Sequence, residues 1–226
     1  MQERGDTGLG KIDPNLPVYA LSGILVDSQA HDHLCKQMDR LADRFWNDPA
    51  RILTPDLFWN GNDRLGVLHQ PGVGNAFVEA RNKCLDEIPC HTLGIAIDKN
   101  GIARDYGMPG SDMFHQALLQ ILEQALMILR KNADTPVLSI VVKRKGSRKD
   151  RQLRDCIQRL GSEGTDRLDT AVFRQVSLAF IADLRYEAPR GLQLAGLAAY
   201  ALAGKHTDAN RANADFDRLL KKTSWM

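Results

Sequence analysis

The apolar positions of this chain switch between a period of two and a period of about 3.6, and the switches mark out its elements. Residues 16–27 carry Val18, Ala20, Ser22, Ile24 and Val26 on one face, with further apolar residues between them, which predicts a strand covered on both faces. Ser28 stands where a helix cap is expected, and Leu34, Met38, Leu41, Ala42 and Phe45 then recur at helical spacing until Asp48-Pro49. Residues 47–74 are rich in Asn, Asp, Gly and Pro and predict a long loop region. A helix over 75–87 leads to a strand over 91–98, which ends at Asp98-Lys99-Asn100-Gly101. The clearest helix follows Ser111 or Asp112, with Phe114, Ala117, Leu118, Ile121, Leu122, Ala125 and Leu129 as its buried stripe. Residues 136–142 predict an interior strand, 150–160 a helix and 170–183 another strand. Helices over 190–204 and 208–223 follow, the second within a C-terminal helical extension over 205–226. Strands alternating with helices predict one α/β domain over residues 1–226, a sheet with helices on its faces.

Composition changes this picture little. The 226 residues, 43% hydrophobic and 26% charged, are those of a globular chain long enough to bury a core without staples. No stretch approaches the ~20 apolar residues of a membrane span and no signal pattern opens the sequence, so no membrane partner is expected. Cys35, Cys84, Cys90 and Cys156 have no paired spacing, which fits reduced thiols and a cytoplasmic location. His31 and Cys35 fall four residues apart on one helix face, but no second ligand pair stands at a zinc-binding distance from them.

Charge matters locally rather than in sum. The net charge is only +2, yet Lys143, Arg144, Lys145, Arg148, Lys149 and Arg151 crowd around Gly146-Ser147. A turn this dense in cationic donors, leading into a helix N-terminus, predicts contact with phosphates, hence a nucleic-acid partner, DNA or RNA. A solvated turn would carry the same run, and no aromatic residue interleaves with it to stack on bases.

Two motifs bear on function. Near the start stands Glu3-Arg4-Gly5-Asp6-Thr7-Gly8, and towards the end Gly191-Leu192-Gln193-Leu194-Ala195-Gly196-Leu197-Ala198-Ala199-Tyr200. With the elements between them, they give the chain a layout that resembles the bacterial and phage family known as domain of unknown function 3800. In that family the first motif usually reads Asp-Glu-Ser-Gly-Asp and the second begins Gly-Leu-Gln-Leu-Ala-Asp. The resemblance implies a ribonuclease-H-like mixed sheet flanked by helices, and two-metal phosphodiester hydrolysis with Mg or Mn held by carboxylates. Here the acids it leads one to expect stand as Gln2, Lys143 and Gly196. Only Met1 and Gln2 precede Glu3, so the opening strand is expected to be truncated or missing.

Three functions follow from these residues. The first is a binding protein with an eroded metal site and no cofactor, in which Lys143, Arg144, Lys145, Arg148 and Lys149 hold phosphates and Gln193 shapes the cleft wall. The second is an active nuclease on a shifted acid set, with Glu3, Asp98 and Asp183 catalytic and Mg or Mn required. Against it, Asp6, Asp98 and Asp150 also fit as turn and helix-start residues. The third is a module for a protein partner or a homodimer, motivated by an exposed sheet edge and by the Ala-rich run over 194–203.

Overall fold

The computed structural model describes residues 1–9, 11–106, 113–131, 137–181, 189–207 and 217–219. The chain is mixed α/β. Strand β2 (Val18–Leu25) lies between β1 (Gln2–Arg4) and β3 (His91–Asp98), antiparallel to both. Glu3 sits opposite Leu21, and Val18 opposite Asp98. Strands β4 (Leu138–Lys143) and β5 (Val176–Ile181) form a separate parallel pair, with Lys143 opposite Ile181. The Met1 amino group donates to Val141 O at 2.8 Å, which brings the start of β1 against β4. The strands therefore follow one another across the molecule as β3, β2, β1, β4, β5.

Helices cover both sides. On one, α5 (Met113–Arg130) and α6 (Ser147–Glu163) bury Leu118, Ile121, Leu122, Leu153 and Cys156 against Tyr19, Leu21, Leu93, Ile140 and Val142. On the other, α8 (Arg190–Thr207) lies across β1, β2 and β3. Its alanines allow that close approach: Ala195, Ala198, Ala199, Ala201 and Ala203 are all buried. The outer face of α8 is covered in turn by α1 (Ser28–Trp46), α2 (Pro55–Asn60) and α3 (Val73–Glu87). A helix apolar on every side needs this double cover. The Ala-rich run is thus spent inside the chain and offers no surface to a partner.

The buried Ser22 hydroxyl donates to Ala195 O at 2.6 Å and pins α8 to the sheet. Ser22→Ala should lower stability by about 1 kcal/mol, read as a lower denaturant midpoint at unchanged m-value.

Several elements differ from the reading of the sequence. The opening strand is short, as expected, but it pairs with β2 and so covers a sheet edge that was expected to lie exposed. The first helix is capped by Asp27, which accepts from Ala30 N–H at 2.7 Å, not by Ser28. Residues 47–74 are not a long loop. Thr54 caps α2 with Pro55 in its first turn, and a 3₁₀ turn (Val67–His69) precedes α3. Proline opens a helix here because its missing N–H would have had no partner there anyway. Asp98 leads into a helix, α4 (Lys99–Tyr106), rather than a plain turn. The strand expected over 170–183 begins late: Asp169 caps one helical turn, α7 (Thr170–Phe173), before β5. Of the helix expected over 208–223, the described residues 217–219 are helical.

Candidate nucleic-acid interface

The basic run occupies the turn from β4 into α6. Arg144 N–H donates to Ile181 O at 2.9 Å, carrying the β4–β5 pairing one residue past Lys143. Gly146 then takes φ +100, a backbone that side-chain-bearing residues rarely adopt, and α6 starts at Ser147. The buried Asp150 fixes the turn: its carboxylate accepts from Lys145 N–H at 2.9 Å and its own N–H donates to Gly146 O at 3.0 Å. Around this rigid turn Lys143, Arg144, Arg148, Lys149 and Arg151 are exposed. Arg144, Arg148, Lys149 and Arg151 hold no ion pair among the described residues.

Lys145 behaves differently. Its ammonium lies 2.5 Å from Glu3 Oε2 and 5.2 Å from the centre of the Phe114 ring. Tyr19 Oη donates to the same Glu3 oxygen at 2.9 Å. Burial of the phenol, reinforced by the Glu3 charge and hydrogen bond, holds Tyr19 well above the usual phenol range, so it remains a donor. Burial, with repulsion from Lys145 added, lowers the Met1 amino group to about 5 and keeps it neutral at pH 7.

The two positions where the resemblance leads one to expect acids from the first and last motifs stand side by side. A Cβ on Gly196 would lie 3.9 Å from Gln2 Cγ. Along β4, Ile140 and Val142 are buried towards α5 and α6, so alternation sends the exposed Lys143 to the α8 side, the side of Gln2 and Gly196. Amide, ammonium and hydrogen are poor partners for a hard divalent cation.

Glu3 and Asp98 are not brought together. Asp98 lies two strands across and three residues along from Glu3, about 10 Å in each direction. It is exposed, and its carboxylate accepts from Asn100 N–H at 3.0 Å at the start of α4. Asp183 lies outside the described residues. Among the described residues no group of three or more His, Cys, Asp or Glu side chains could hold a metal ion. Glu3, already held by Lys145, does not by itself fit a two-metal centre for Mg or Mn.

Gln193 serves a joint rather than a cleft wall. Its Oε1 accepts from Leu53 N–H at 3.0 Å and from Arg190 at 2.9 Å, and Arg190 also reaches Asp39 at 2.7 Å and the carbonyl of Pro49. The group ties residues 49–53 to the start of α8. His31 and Cys35 approach within 3.8 Å, and burial, then the Asp39 charge, raises the Cys35 thiol, which disfavours the thiolate. None of the four cysteines forms a disulfide among the described residues.

Lys99 escaped the sequence reading. Its side chain is fully buried, and its ammonium lies 3.7 Å from Asp6 Oδ2. The Asp98-Lys99 pair closing a strand was its only signal, and that pattern reads equally as a surface turn. The Gly5 to Lys11 stretch also has the glycine and lysine spacing of a phosphate-binding loop. It joins β1 to the antiparallel β2 with no helix between them among the described residues, so no helix N-terminus faces a phosphate there.

Compared with known protein families, curated proteins and solved structures, the chain matches none. The likeness to domain of unknown function 3800 stands on the motif residues alone. Among the described residues no helix is long and apolar enough to cross a membrane.

Proposed function

We propose that this chain is a ribonuclease-H-like protein that binds nucleic acid through its phosphates and does not cut it. The observation that carries the reading is the turn from β4 to α6. Four exposed cations there, Arg144, Arg148, Lys149 and Arg151, lack a carboxylate partner among the described residues, on a backbone that Asp150 and Gly146 hold in place. Fixed cations around a helix N-terminus are the arrangement a polyanion needs, because the phosphates replace counterions rather than compete with resident carboxylates. The strand succession β3, β2, β1, β4, β5, with three antiparallel strands beside a parallel pair, supports the ribonuclease-H-like layout. The absence of a cut follows from the side chains where the resemblance calls for acids. Gln2 and Gly196 meet at one point, Lys143 lies on the same side of the sheet, and Glu3 is held by a lysine.

The reading is tested by incubating labelled DNA and RNA with the protein, with and without Mn²⁺, and resolving the mixtures on native and denaturing gels. Retarded but intact nucleic acid is the expected result. Shortened products that require the metal would replace it with the nuclease reading. An unretarded, intact probe would remove the nucleic-acid partner and leave a protein partner to be sought.

A further inference from the structure

We infer that Glu3 is a built-in rival of phosphate for Lys145, so that nucleic acid must draw this lysine away from a carboxylate of the chain itself. The inference rests on the nucleic-acid reading above and adds to it a residue that sets the affinity. Of the basic residues in the turn, Arg144, Arg148, Lys149 and Arg151 point into solvent without a carboxylate among the described residues. Lys145 instead folds back across the Phe114 ring to reach Glu3 at 2.5 Å.

The geometry lets this contact exchange. The Lys145 and Glu3 side chains are 29% and 26% exposed, so a phosphate oxygen can reach the ammonium while solvent screens the pair it leaves. The Lys145 backbone N–H is anchored on Asp150, so the ammonium can swing by rotation about its own side-chain bonds while the turn stays in place. Glu3 is not stranded when Lys145 leaves, because Tyr19 Oη still donates to it at 2.9 Å. A carboxylate with its own donor on one side and a borrowed cation on the other is suited to giving the cation up.

The test is Glu3→Gln, which keeps the shape and can still accept from Tyr19 but carries no charge. Binding of a short labelled oligonucleotide is measured over a series of salt concentrations. The variant should bind about three- to tenfold more tightly at low salt, and its log–log salt slope should steepen by about one phosphate contact. In a Lys145→Met background the same change should leave affinity unaltered, because the cation that Glu3 withholds is gone. Should Glu3→Gln fail to fold, Glu3→Asp, whose shorter arm draws the charge back from Lys145, carries the same expected direction. Wild-type binding with no gain in the variant would overturn the inference and leave the nucleic-acid reading standing. A gain that persists in the Lys145→Met background would also overturn it, because Glu3 would then be repelling phosphate without Lys145. No binding by wild type would overturn the underlying reading, and the inference with it.

Discussion

Asp63→Ala is expected to lower the stability of the protein by about 3–5 kcal/mol, as breaking a buried, hydrogen-bonded ion pair does. The Asp63 side chain has no solvent exposure. Its carboxylate accepts from Trp46 Nε1 at 3.0 Å, Arg51 at 3.0 Å, Leu65 N–H at 3.1 Å and Leu68 N–H at 3.2 Å. Alanine would leave a mostly covered guanidinium, an indole N–H and two backbone N–H groups with no acceptor, each of which costs free energy when cut off from water. Arg51 would also lose the charge that holds it over the Trp46 ring, 4.8 Å from the ring centre.

Acid should reproduce part of this loss. Burial alone would raise the Asp63 carboxyl, but the Trp46, Leu65 and Leu68 donors and the Arg51 charge outweigh it and hold the group below the ordinary carboxylate range. Because the folded value lies below the unfolded one, the stabilisation is fully present above pH ~4 and fades as the pH falls through the folded value. Denaturant melts at pH 7 and pH 3 should therefore show a large wild-type-to-variant gap at pH 7 and a narrower one at pH 3. An equal gap at both would mean that the charge on Asp63 contributes nothing.

This hub was hidden in the sequence because the residues that build it are the ones that usually signal loops. Thr54-Pro55 opens a helix, Gly61 closes it at φ +65, and Gly72 precedes the next helix at φ +78. Read by composition, these are breaks; read by position, they are caps. Asp63 itself reads as one more polar loop residue, since its importance comes from Trp46 and Arg51, 17 and 12 residues earlier, which meet on its carboxylate. Where side chains report only local periodicity, the reading held better. The strand expected over 91–98 occupies those residues, and the two-sided apolar run over 16–27 became the central strand, trimmed to Val18–Leu25. The shape of the basic turn was likewise visible as charge around Gly146. The Glu3–Lys145 contact was not, because it depends on β1 and β4 coming together, and no periodicity reports which distant strands become neighbours.

The second large effect expected is on binding. Lys143→Glu, Arg148→Glu and Lys149→Glu together should reduce affinity for nucleic acid at least about a hundredfold at low salt and make the log–log salt slope shallower by about three. All three side chains are exposed on the turn, so thermal unfolding should move by no more than about 0.5 kcal/mol per site. Lys145 is left out because a glutamate there would meet Glu3, and repulsion in the fold would then be confused with lost binding. A change in net charge alone also weakens attraction to a polyanion, so the control is an equal charge change elsewhere. Lys36→Glu, Arg40→Glu and Arg44→Glu reverse three exposed charges on α1, which packs outside α8 on the side of the sheet opposite α6. If the turn is the interface, the control should lose only the modest affinity that net charge accounts for, with its salt slope nearly unchanged. If both triple variants lose affinity alike, the attraction belongs to the molecule's charge as a whole and the turn has no special part in it.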